Sequence, residues 1–144
     1  MKKLNRKGFT LVELLAVVIV LGLILVILIP NALDAAEKSR TRLFKIEAQN
    51  VLKAAREYYE NGILDGKLAT ELAKCQSLSA IGKANSEYKG SVDIVKDGTS
   101  VTYTLYLASQ ELMYNGKTES YVNAGTAPDS VTTDAVAKIE TCGK

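Results

Sequence analysis

Residues 14–29, LLAVVIVLGLILVILI, contain no charged or strongly polar side chain. Such a run outlasts the apolar core of an ordinary secretory signal, and its end, Ile29-Pro30-Asn31, offers no small-residue cleavage site. Taken with the five residues before it, the segment 9–29 spans roughly 31 Å as a helix, matching a bilayer hydrocarbon core of about 30 Å. Four cations precede it, Lys2, Lys3, Arg6 and Lys7, and none lies within it. That asymmetry places the N-terminus in the cytoplasm and makes the segment a membrane span. One residue resists the plain anchor reading. Glu13 sits just inside the apolar segment, where a carboxylate costs about 2.5–3.5 kcal/mol at the centre of a span and less near an end.

A cut between Gly8 and Phe9 accounts for Glu13. The new α-amine at Phe9 would be a cation at the end of an apolar helix, with Glu13 four residues on, at i, i+4 spacing. Pairing the two, within one helix or between staggered neighbours, offsets the cost of both charges. The stretch Lys7-Gly8-Phe9-Thr10-Leu11-Val12-Glu13 resembles the leader junction of type IV pilins and pseudopilins. The resemblance implies a membrane prepilin peptidase that cuts after Gly8 and N-methylates Phe9. It assigns Glu13 to pairing with the terminal amine of a neighbouring subunit during assembly. Gly22 and Pro30 stand where the family often has a helix-weakening glycine and a proline. On their own chemistry these residues weaken a helix by about 1 and 3 kcal/mol relative to alanine, Pro30 by removing a donor and crowding the carbonyl of Val26. The residues between them are expected to lose helical order in a filament, or to kink gently near the membrane surface.

Charge and composition narrow the remaining functions. The formal net charge of +2 comes from 18 basic and 16 acidic residues, and four of the basic ones lie in residues 1–8, so a chain beginning at Phe9 is net acidic. That balance offers no clustered basic face for nucleic acid. The chain has no histidine, which removes the commonest general base and metal ligand. No phosphate-binding glycine loop occurs. Asp129 and Asp134 are too few for a calcium site, which needs six or more oxygens. No catalytic residue, metal or cofactor is assigned, and the chain is not read as an enzyme. The two cysteines, Cys75 and Cys142, allow one intramolecular pairing. Outside the cytoplasm a disulfide is expected, constraining the unfolded chain by roughly 4 kcal/mol.

Beyond Pro30 the helix becomes amphipathic. Phe44, Ala48, Val51, Ala55 and Tyr58 recur at steps of four and three, widened by Leu52 and Tyr59. Gly62 reads as the helix stop, so one helix of roughly 50 residues, near 75 Å, is expected from Phe9 to about Glu60. A small domain cannot cover that length; lipid or other helices of the same kind must cover the first half. The basic cluster Lys38, Arg40, Arg42 and Lys45 reads as a solvated face or as a contact for headgroups or an acidic neighbour. A short helix is expected around residues 67–75 and a loop at 78–82. From Tyr88 the period becomes two. Val92 and Ile94 lead into an Asp97-Gly98 turn, and residues 100–108 form a strand with Val101, Tyr103, Leu105 and Leu107 on one face. A strand at 111–114, a turn at Asn115-Gly116, a returning strand at 118–122, a surface loop at 123–133 and a closing edge strand at 136–141 complete the expectation. The seven tyrosines suit a half-exposed sheet and helix–sheet boundary.

The expected architecture is α+β, with a long N-terminal helix and a small antiparallel sheet on its second half. The expected parts are a leader (1–8), a membrane or filament-core half-helix (9–30), an amphipathic half (31–61) and a globular region (62–144). The resemblance implies a pilin that is cleaved, methylated and polymerised with itself into a surface filament, through the prepilin peptidase, an assembly platform and an ATPase motor. Such filaments support adhesion, twitching motility or DNA uptake. A pseudopilin of a type II secretion or competence system and a minor pilin share the same N-terminal argument. An uncut, membrane-anchored binding domain is the alternative of another kind.

Overall fold

The computed structural model describes residues 10–132, 136 and 138–142, in two compact units, Met1–Ser39 and Arg40–Lys144. Helix α1 (Leu11–Leu64) contributes to both. In the second unit its buried residues are Phe44, Ala48, Val51, Leu52, Ala54, Ala55, Tyr59 and Gly62. This is the expected amphipathic stripe, except that Tyr59 is buried and Tyr58 half-buried. The helix does not stop at Gly62. A Cβ there would come within 2.7 Å of both Leu72 methyl carbons, so the glycine admits a neighbour rather than ending the helix. The stop is Gly66, at φ 82°. Its N–H donates to the Ile63 carbonyl, and the Lys67 N–H donates to the Gly62 carbonyl, the paired bonds of a Schellman cap.

After α2 (Ala69–Leu72), five strands form an antiparallel sheet in sequence order: β1 (Cys75–Ser77), β2 (Lys89–Asp97), β3 (Ser100–Ala108), β4 (Leu112–Thr118) and β5 (Asp129–Ser130). The β2–β3 hairpin pairs without interruption from Lys89↔Ala108 to Asp97↔Ser100. Gly98, first of its two loop residues, has φ 57°, as a type II′ turn requires. Alternation along the strands gives the sheet two faces. Val92, Ile94, Tyr103, Leu105, Leu107 and Tyr114 pack with the α1 stripe and with α2 in the main core. Ala108 and Met113, on the other face, pack with Ile139.

Three expectations are corrected. Asn115-Gly116 does not reverse the chain: β4 runs through it, and these two residues bulge opposite Tyr106, where the register shifts between Leu105 and Leu107. Gly116 supplies the positive φ of 63° that the bulge needs. No returning strand follows: β4 ends at Thr118 and α3 (Glu119–Asn123) begins directly after it. Arg56 fixes that helix through a 2.7 Å ion pair with Glu119 while lying over the Tyr103 ring. The closing edge strand is β5, within the expected loop, whereas Val136, Lys138 and Ile139 are helical. The buried hydroxyl of Ser91 holds the end of that turn: it donates to the Ile139 carbonyl and accepts the Cys142 N–H, the latter at 3.2 Å.

Candidate functional site

The first described turn of α1 carries the one carboxylate of the apolar segment. Thr10 precedes the helix and Glu13 is its third residue. Glu13 Oε2 accepts the Thr10 N–H and the Thr10 hydroxyl, each at 2.9 Å, and the Thr10 hydroxyl oxygen accepts the Glu13 N–H at 3.3 Å. This is a capping box: two helix-terminal donors without intrahelical partners satisfy each other's residues. Among the described residues Glu13 Oε1 accepts no hydrogen bond. Sequence reasoning gave the threonine no part, although T-x-x-E before an apolar run is its legible signal. Gly8 and Phe9, the expected cleavage and methylation positions, lie outside the described residues.

No residue of the apolar run is buried. Exposure ranges from 73% at Val26 to 46% at Ile24 among its large side chains. This helix is long and apolar enough to cross a membrane. The helix assignment is unbroken across Gly22 and Pro30. Gly22 meets nothing within 4 Å of a built Cβ, so no neighbour among the described residues requires a glycine there. Just after Pro30, the Asn31 side-chain amide donates to the Ile27 carbonyl at 3.1 Å, adding a bond beside the one the proline cannot make.

The second unit uses several residues that the sequence left open. In the basic cluster, Arg40 pairs with Glu111 at 3.1 Å, and Lys45 donates to the Gly125 carbonyl at 2.7 Å. Both cations therefore hold loops of their own domain. Cys75 and Cys142 form a disulfide with their Cα atoms 5.9 Å apart, tying the C-terminal turn to β1 beside Ser91. Phe44 stacks on Tyr114 at 5.5 Å and lies 5.9 Å from Tyr88, and Tyr121 meets Tyr114 edge-on. Those tyrosines serve as core. Asp129 pairs with Lys117 at 3.2 Å; Asp134 lies outside the described residues.

Comparison with known families places these features together. The prokaryotic N-terminal methylation motif matches residues 3–29. No curated protein matches the chain, and no solved structure matches it. The motif is typical of the prepilins of type IV pilins and pseudopilins. It implies a structural protein rather than an enzyme, processed by a prepilin peptidase and handled by assembly machinery. The apolar N-terminal helix is consistent with a membrane prepilin that later joins a surface filament.

Proposed function

We propose that this chain is the precursor of a type IV pilus subunit, cut between Gly8 and Phe9, methylated on the Phe9 amine and polymerised with copies of itself. The observation that carries this reading is the juxtaposition of the methylation motif at residues 3–29 with an apolar half-helix whose described side chains are all exposed. In the precursor, lipid covers that helix. In the filament, neighbouring copies do. Moving an apolar helix from lipid into a bundle gains little hydrophobic free energy, because lipid tails are equally apolar. Packing and polar contacts must then set the register.

Glu13 is suited to that task. Its Oε2 is held by Thr10, and among the described residues Oε1 accepts no hydrogen bond, so the carboxylate is oriented before a partner arrives. The Phe9 amine of a neighbouring copy is the cation that processing creates. Gly22 and Pro30 weaken the helix between them and would let a filament stretch there. The disulfide and the Lys45 and Arg40 contacts keep the domain outside the bundle closed.

The test is N-terminal mass spectrometry of material sheared from the cell surface. A chain beginning at N-methyl-Phe9 in long filaments is the expected result. A chain that keeps residues 1–8, found only in membranes, would favour the uncut anchor instead.

A further inference from the structure

We infer that Asn115 is a self-modification site, where the main chain displaces the side-chain nitrogen as ammonia and leaves aspartate or isoaspartate in β4. The step needs only water. The Gly116 amide nitrogen gives up its proton and bonds to the Asn115 side-chain amide carbon. The bond from that carbon to its own nitrogen breaks, and ammonia leaves with a proton from solvent. Water then opens the cyclic imide. Opening at the side-chain carbonyl gives aspartate; opening at the main-chain carbonyl gives isoaspartate. A glycine on the attacking side leaves no Cβ in the way. No partner enters the step, so it holds for a filament subunit and for an uncut anchor alike.

Four glycines follow an asparagine or aspartate: Gly62, Gly66, Gly98 and Gly116. Attack requires rotation about the bond from Cα to the carbonyl carbon of the preceding residue, which also swings that carbonyl and the glycine N–H. Three of the four are held against it. The Asn61 carbonyl accepts the Asp65 N–H at 2.9 Å, and Gly62 is buried within α1. The Gly66 N–H donates to the Ile63 carbonyl at 3.0 Å. Asp97 pairs with Ser100 in the β2–β3 hairpin, and a charged carboxylate accepts a nucleophile less readily than a neutral amide. Asn115 and Gly116, by contrast, are both exposed. The β3 register passes from Tyr114↔Leu107 to Lys117↔Leu105, and β5 pairs only with Leu112 and Met113. Neither residue of the dipeptide is therefore in register with a partner among the described residues, as in a bulge that interrupts its ladder. The φ of 63° at Gly116 favours glycine at that position, so the bulge itself requires the reactive pair. The product fits the same place. Isoaspartate lengthens the main chain by one carbon where two residues already face one. Each conversion also adds one negative charge two residues from Lys117, whose ammonium pairs with Asp129 at 3.2 Å.

Peptide mapping of the full chain in detergent micelles tests this, after incubation in warm neutral buffer made with heavy-oxygen water. A capped peptide of residues 113–118 is the unfolded benchmark. Asn115 is expected to convert within about tenfold of the peptide's rate, and about tenfold or more faster than Asn61, which must wait for local opening of α1. The new carboxylate should carry the heavy oxygen, isoaspartate should accompany aspartate, and the rate should rise with pH because the attacking nitrogen must lose its proton. Asn115→Gln keeps an exposed amide but needs a larger ring. It should stop conversion at that position and leave the melting temperature of the domain unchanged. Asn115 intact when the peptide is fully converted, Asn61 converting as fast as Asn115, aspartate formed without isoaspartate, or the same charge gain in the Asn115→Gln variant would each overturn the inference.

Discussion

Leu21 and Phe44 lie on the same helix under opposite rules. Leu21 is 53% exposed and Phe44 is 2% exposed. Around Leu21 every side chain is apolar, so no face is distinguished, and each of residues 11–30 is exposed. Around Phe44 the apolar residues recur in a stripe, and the stripe is buried against β2, β3 and β4. An amphipathic helix fixes which side faces its domain. A helix that is apolar all round is covered by whatever surrounds it, whether lipid or its own copies. The first half is thus specified by its environment, and the second by its sheet.

The hardest break in this comparison is at the junction that decides which environment the first half meets. Gly8→Leu should leave residues 1–8 attached and abolish filaments while the domain still folds. Intact-mass measurement of the membrane fraction checks it, and a chain beginning at Phe9 would refute it. Next comes a matched pair. Phe44→Ala should cost the folded domain about 3–5 kcal/mol, whereas Leu21→Ala should leave its denaturant midpoint unchanged. Equal losses would show that the two halves are not governed separately.

Two helical glycines sharpen the contrast further. At Gly62 a methyl group meets Leu72 at 2.7 Å, and at Gly22 it meets nothing. Gly62→Ala should therefore cost about 1–2 kcal/mol, overpacking outweighing the gain in helix propensity. Gly22→Ala should stiffen its helix by about 1 kcal/mol with no clash. Thermal melts of the domain read the first, and amide exchange in residues 18–26 reads the second.

The smallest effect belongs to Tyr114, whose hydroxyl donates to the Thr126 carbonyl at 2.7 Å. Burial first, then Tyr121 and Asp129, hold this phenol above the ordinary value of 10.0. In the unfolded chain it ionises first as pH rises, so the unfolded state then binds fewer protons. The stability it contributes is present below about pH 10 and is lost as pH climbs through the folded value. Tyr114→Phe should lose about 1 kcal/mol near neutral pH and fall less steeply above about pH 10. Denaturant titrations at the two pH values check both parts.

Legibility in the sequence divides along the same line. Periodicity carried the α1 stripe and β3, because those patterns record burial against a neighbour. Glycine signals misled where the neighbour was distant in sequence. Asn61-Gly62 looks like a helix end until Leu72 is placed against it. Asn115-Gly116 looks like a turn until Tyr106 lies opposite two residues instead of one. Residues 136–141 read as a strand, but the buried Ser91 hydroxyl claims the Ile139 carbonyl and Cys142 N–H, and no pattern near Ser91 announces that bond. In the candidate site Glu13 stood out by its cost, while Thr10, which holds it, passed as an ordinary threonine.

The comparison rests on one charge being enough to give an undifferentiated helix a register, and the yield of sheared filaments from Glu13→Ala measures that directly. The chain should still be cut at Phe9, with its domain melting as in wild type, because the Phe44 stripe is untouched. Filaments should be absent or reduced by orders of magnitude. Wild-type filament yield from a processed, folded Glu13→Ala chain would contradict the account.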